Sequence, residues 1–367
     1  MIVTFPRFGY TAEIMALFLG EIGIKCIKPE VNNDDVLKIG SQISPEEICL
    51  PFKFMAGNLA AAYKSGADTA VMMATCGPCR LGEYCELLKA VLDRAGYRYN
   101  WIIIDSPSAI GKKEFLKRLR LLLGENVKKH SVIKLLIKSV TLIYRIDSAE
   151  DKLKKLNGFT VNKEICRGLL RELNDSVTNF KTLDDGISYI KEFRQRIKTL
   201  DIDKTAEPVQ ILIAGEIYTS IESASNRKVE EKLMSLGCSI QRHMTVSWWM
   251  KNTLKKILIP GRIQAAGRRE AFAYDIGGYG RETVKKISKA KNINGVIKIM
   301  PSGCMPEIVT KSFCEKLQKD GEIKILHLIY DEMSGDAGYE TRIEAFADML
   351  ERRKDVLAGY RHRIYKH

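Results

Sequence analysis

At 367 residues the chain is too long for one small core, and about two domains of ordinary size are expected. No run approaches the roughly 20 consecutive apolar residues of a membrane span, and the first strand signal starts at Met1-Ile2-Val3, ahead of any room for a secretory signal, so a cytoplasmic protein is expected. The net charge of +14 is concentrated at 112–138, 251–269 and 352–366 between apolar residues at helical spacing, which reads first as solvated helix faces and next as a dock for an acidic protein or a phosphate-rich ligand such as coenzyme A; no nucleic-acid-binding motif accompanies it.

The elements follow in chain order. Strand signals at 2–5, 24–27, 69–74 and 101–104 alternate with helical periodicity at 12–22, 52–65 and 81–95. The run at 69–74 is continuously apolar, as suits a parallel strand covered on both faces. From 106 to 205 strand signals nearly vanish and lysine-rich amphipathic helices take over. Strands at 210–214, 238–242, 295–300 and 323–329 then alternate with helices at 227–236, 281–291, 307–317 and 341–353. The expected fold is α/β, with two Rossmann-like or flavodoxin-like parallel-sheet domains, at 1–105 and 206–367, and a helical insert at 106–205.

Nine cysteines scattered through so long a chain fit reduced thiols better than a disulfide framework. Three of them share one pattern: Cys49-Leu50-Pro51, Cys76-Gly77-Pro78 and Cys304-Met305-Pro306 each read Cys-x-Pro before a predicted helix. Proline is favoured in a helix's first turn, so each triplet places a thiol at a helix N-terminus, where the dipole favours thiolate. Cys76 and Cys304 also follow predicted strands, at the edge where α/β sheets bind ligands. Thiolates gathered from distant parts of one chain point to an iron-sulfur site, with Cys79 a fourth sulfur beside Cys76. Tetrahedral zinc is the competing metal. Cys26, Cys85, Cys166, Cys238 and Cys314 lack the pattern and read as ordinary core or surface residues.

The segments EICLPFK at 47–53, CGPCRLG at 76–82, GEIY at 215–218 and GCMPEIV at 303–309 resemble the iron-sulfur subunits of the 2-hydroxyacyl-CoA dehydratase and benzoyl-CoA reductase superfamily. The likeness is greatest to the stand-alone branch described as related to the activase of 2-hydroxyglutaryl-CoA dehydratase, and it extends to RIEAF at 342–346. The resemblance implies a 4Fe-4S cluster held by Cys49, Cys76 and Cys304, with Cys79 able to replace or supplement Cys76. It also implies an ATP-hydrolysing activator that injects a low-potential electron, an acyl-CoA or small-molecule substrate, and a homodimer. Some relatives carry a double-cubane 8Fe-9S cluster instead. Three protein thiolates leave one iron open for reduction or radical dehydration, whereas four close the cluster and favour a non-catalytic electron carrier.

Lys53 and Arg80 follow their cysteines closely and are expected to offset cluster charge. Glu216, just past the strand at 210–214, reads as a proton donor or as the cap of the next helix, the cap being preferred. Glu307 reads as a favourable first-turn charge, and the glycines at 277–280 as a turn. No P-loop is present, so ATP hydrolysis is assigned to another protein.

Overall fold

The computed structural model describes residues 1–74, 80–105, 107–124, 127–258, 276–319, 323–333 and 335–364. The chain is α/β with two all-parallel sheets. Among the described residues the first sheet has the order β1 (Val3–Thr4), β2 (Thr69–Met73), β3 (Asn100–Ile104), with Val3 beside Thr69 and Thr69 beside Asn100. Helices α1 (Thr11–Ile22), α2 (Asp34–Ile43), α3 (Leu50–Lys64) and α4 (Tyr84–Arg94) connect these strands. The strand expected at 24–27 is reduced to one bridge, Val3 to Cys26, because only Val3 exchanges backbone bonds with Lys25 and Ile27. Helix α2 was not foreseen, although Asn33 caps it by accepting from the Val36 amide at 2.9 Å.

Helices α5 (Pro107–Ile110), α6 (Lys112–Leu123), α7 (Lys129–Leu156), α8 (Ile165–Asn179) and α9 (Leu183–Lys198) follow, as the lysine-rich periodicity indicated. The second sheet is built from β4 (Gln210–Gly215), β5 (Ser239–Arg242), β6 (Gly295–Pro301) and β7 (Lys324–Tyr330), in the order β5-β4-β6-β7. Its helices are α10 (Ile217–Ile221), α11 (Val229–Ser235), α12 (Val246–Leu258), α13 (Gly280–Ser288), α14 (Met305–Lys319) and α15 (Asp336–Ile364). No described helix is long and apolar enough to cross a membrane.

The helical stretch is not a separate body. Helix α7 packs against α1, α8, α9, α12 and β5, and its Leu142, Ile146 and Leu153 belong to one apolar core shared with Phe52 and Leu88 of the first unit and Ile211 and Ile299 of the second. A buried ionic network reinforces this junction. Arg242 donates to Glu150 at 2.6 Å, Lys154 reaches Glu150 at 3.1 Å and Glu230 at 2.7 Å, and Tyr10 donates to Asp147 at 2.6 Å.

Two close backbone approaches set the geometry that matters for the site. Gly40 of α2 and Gly57 of α3 face each other's helices so closely that a Cβ on either would run into a carbonyl, of Lys53 or Val36 respectively. Gly215 ends β4 at φ 144°, against the carbonyl of Ile299, a position open only to glycine. That approach lets the Glu216 amide bond the Ile299 carbonyl at 3.1 Å.

Candidate functional site

Cys49 occupies the N-cap position of α3, with extended backbone (φ −68°, ψ 151°) and Pro51 in the first turn. Cys304 immediately precedes α14; its carbonyl accepts the Ile308 amide at 2.9 Å, and Pro306 lies in the first turn. Both described Cys-x-Pro triplets therefore put a thiol at a helix N-terminus, for the reason the proline position indicated. Both cysteines are nearly buried, at 9 and 8% exposure.

The structure brings these two cysteines, 255 positions apart in sequence numbering (304 − 49), into one neighbourhood. The Cys304 thiol is pushed far above the ordinary range, chiefly by burial, with Glu216, Glu307 and Cys49 within electrostatic reach adding to the effect. Burial therefore favours the protonated form of the Cys304 thiol. A bound cation would reverse that balance, since ligation draws the proton off a thiol, so buried sulfurs beside carboxylates suit a metal centre. Cys76 and Cys79 lie outside the described residues, three and six positions beyond Met73, where β2 ends. Among the described residues no group of three His, Cys, Asp or Glu side chains is placed to hold a metal ion.

Tyr84, which the sequence reading passed over, has its hydroxyl on the Cys49 sulfur. Its ring meets Phe52 edge-on at 5.0 Å, and the residue is 2% exposed, so packing fixes the direction of the hydroxyl. It opens α4 directly after the short 3₁₀ turn Arg80–Glu83. The sequence signal for it was its place just after the Cys76–Cys79 segment.

Lys53 lies one turn beyond Cys49, but its ammonium is already held. It pairs with Glu332 and donates to the Glu46 carbonyl at 3.0 Å, at 2% exposure. It therefore clasps the first unit to the loop after β7. Further contacts across the same junction are the Gly9 amide on Glu222 at 2.8 Å, Asn32 on the Tyr218 hydroxyl at 3.1 Å and Arg227 on Asp34 at 3.1 Å. Arg80 opens its 3₁₀ turn, and its side chain lies outside the described residues.

Glu216 caps α10. Its carboxylate accepts the Tyr218 amide at 2.9 Å, the Thr219 amide at 2.7 Å and the Thr219 hydroxyl at 2.8 Å. Burial nevertheless raises its pKa, outweighing those amides, with Glu307 nearby adding to the rise. Glu307 is no free first-turn charge: it is 2% exposed and paired at 2.7 Å with Lys298, which is fully buried on β6. Cys166, Cys238 and Cys314 lie in the apolar cores. A cleft of about 610 Å³ opens beside the ends of β2 and β3, lined by Ala74, Trp101 and Asp105 together with Lys89, Glu114 and Arg118. No family model matches the chain, and no curated protein matches it.

Proposed function

We propose that this chain is an iron-sulfur protein of the 2-hydroxyacyl-CoA dehydratase type, carrying out low-potential one-electron reduction or radical dehydration with electrons from an ATP-hydrolysing activator. The observation that carries this reading is that Cys49 and Cys304, two buried thiols at helix N-termini drawn from the two parallel-sheet units, lie within electrostatic reach of one another. Cys76 or Cys79, or both, which lie outside the described residues, would complete the ligand set. A 4Fe-4S cluster bound there supplies a one-electron carrier, with an iron open to an acyl-CoA or other small substrate if three thiolates hold it.

The chain's own residues have separable roles in this reading. Ligation would draw the proton off Cys49 and Cys304, and the first turns of α3 and α14 would then help to offset the thiolate charge. The Tyr84 hydroxyl shares a hydrogen bond with the Cys49 sulfur and would donate to it once that sulfur is a ligating thiolate. Glu216, whose burial keeps its proton to higher pH, is a described acid within electrostatic reach of Cys304 and could hold a proton there. The Lys53–Glu332 clasp holds the two cysteine-bearing units together rather than touching substrate.

The test is iron, acid-labile sulfide and zinc analysis with electron paramagnetic resonance on anaerobically reconstituted protein. About four irons and four sulfides per chain are expected, lost in Cys49→Ser and Cys304→Ser. About eight irons would point to the double-cubane form instead. Zinc without sulfide, or no bound metal, would sink the redox reading. Cys79→Ser separates an open cluster, which survives it if Cys76 is the third ligand, from a closed electron carrier, which does not.

A further inference from the structure

The first sheet is open along β3. In a parallel ladder a strand turns alternate residues toward each neighbour. The Asn100 amide bonds the Asp68 carbonyl and the Ile104 carbonyl accepts the Ala74 amide, both at 2.9 Å, so Asn100, Ile102 and Ile104 face β2 while the backbone of Trp101 and Ile103 faces away from it. Of those outward groups the Ile103 carbonyl is taken, by Arg118 at 2.8 Å. The amides of Trp101 and Ile103 and the Trp101 carbonyl have no partner among the described residues, nor has the buried indole N–H of Trp101.

The other sheet edges are closed. Strand β1 carries the bridge to Cys26, β5 packs against α7, and on β7 the outward carbonyls of His327 and Ile329 accept from Arg342 and Tyr339 of α15, both at 2.6 Å. An unpaired edge is a template for another strand, and proteins ordinarily cover it. What flanks β3 is a groove. Leu88 of α4 lies in the core with Ala70 and Met72, on one face of the sheet, whereas Leu122 of α6 lies with Val3 and Ile102, on the other. The two helices thus stand on either side of the edge, and the cleft of about 610 Å³ runs between them along Trp101, Ile102 and Ile103.

Shape and charge select the occupant. The edge is recessed between two helices, so β3 of a second copy, recessed likewise, cannot reach it, whereas one extended segment can enter and continue the sheet. The α6 wall presents Leu121 and Lys117, and its Glu114 is already engaged, by Arg118 at 3.0 Å and Lys117 at 3.9 Å. On the α4 wall Glu83 and Glu86 are exposed and have no ion-pair partner among the described residues, with Lys89 one turn beyond Glu86. Side chains of a strand alternate between its two faces, so a segment with basic residues at every second position presents all of them to that acidic wall.

We propose that β3 takes up an extended basic segment of a partner protein, which adds a strand to the three-stranded sheet in the groove between α4 and α6. Main-chain hydrogen bonds to Trp101 and Ile103 supply the affinity, and Glu83 and Glu86 select lysine or arginine at alternate positions. The pairing needs no metal and forms equally in metal-free protein.

The probe is a blocked hexapeptide alternating lysine and valine, titrated into the full chain by calorimetry, with amide hydrogen exchange as the second readout. Saturable binding that slows exchange at Trp101 and Ile103 is expected. Amides of a strand point alternately to its two edges, so N-methylating all the lysines or all the valines should abolish binding in one case and spare it in the other. Ile103→Pro removes an amide that the β2–β3 ladder does not use and should abolish binding. Glu83→Lys combined with Glu86→Lys, at exposed positions, should weaken it about tenfold while the circular dichroism stays that of the wild type. No saturable binding, equal binding of a glutamate and valine peptide, the same effect of both N-methylations, or a dimer of the chain that itself protects these amides would each overturn the assignment.

Discussion

Replacing Lys298 with methionine tests the packing that holds Cys304 in place. Lys298 sits in the middle of β6, every residue of which is buried, and its ammonium reaches the Glu307 carboxylate at 2.7 Å and the Glu307 carbonyl at 2.9 Å. Glu307 also accepts from Thr310 at 3.1 Å and Thr283 at 3.5 Å, so one carboxylate ties α13 and α14 to the strand. Lys298→Met conserves much of the volume but leaves that carboxylate buried with only two hydroxyls. Breaking a buried pair by removing one partner costs about 3–5 kcal/mol, mostly the penalty of the uncompensated charge. Urea unfolding at neutral pH should show a loss of that size, and adding Glu307→Gln should recover a large part of it, because a neutral amide no longer needs the ammonium. Cys304 lies three residues before Glu307, so alkylation of Cys304 should quicken in Lys298→Met. A loss below about 1 kcal/mol, or a double variant as unstable as the sum of the singles, would refute the reasoning.

Three further outcomes are expected. Gly57→Ala should destabilise by about 1–3 kcal/mol in thermal unfolding, since its Cβ meets the Val36 carbonyl and backbone cannot step aside as a side chain can; unchanged stability would mean that α2 and α3 are not so close. Burial, with Lys298, Lys311 and Arg342 nearby, lowers the His327 pKa from 6.5 to about 4. The folded state thus prefers the neutral ring, and stability fully present above pH 6.5 should fall as pH drops toward 4. Neither ring nitrogen of His327 has a hydrogen-bond partner among the described residues, so His327→Leu should flatten that slope in unfolding titrations; an unchanged slope would assign the acid sensitivity elsewhere. In reconstituted protein, Tyr84→Phe should keep its iron but shift the midpoint to lower potential in a redox titration, because a hydrogen bond to a ligand sulfur stabilises the reduced, more negative cluster.

The sequence by itself carried the alternation of apolar strands and amphipathic helices, and with it the two parallel sheets and the helical stretch between them. Hydrophobic period and length are local properties, and the run at 69–74 behaves as a doubly covered strand because it is apolar throughout. The Cys-x-Pro triplets were equally legible, since proline's missing amide suits a first helical turn wherever it occurs. The strand signal at 24–27 failed because pairing is decided by the neighbour, and only Val3 reaches it. Helix α2 escaped because its seat on α3 depends on Gly40 and Gly57 meeting carbonyls of the opposite helix, which no single segment announces.

Tertiary structure alone decided what the charges do. Lys53 and Glu307 read as free charges beside cysteines, yet each is buried against a partner, Glu332 and Lys298 respectively. Tyr84 and Cys49, 35 positions apart, meet only because α3 and α4 pack together, and Cys49 comes within electrostatic reach of Cys304 only because the two units close on each other. Propensity and periodicity act over a few residues, whereas desolvation and ion pairing depend on whichever groups the fold brings within a few ångströms, and that information lies in no local stretch of the chain.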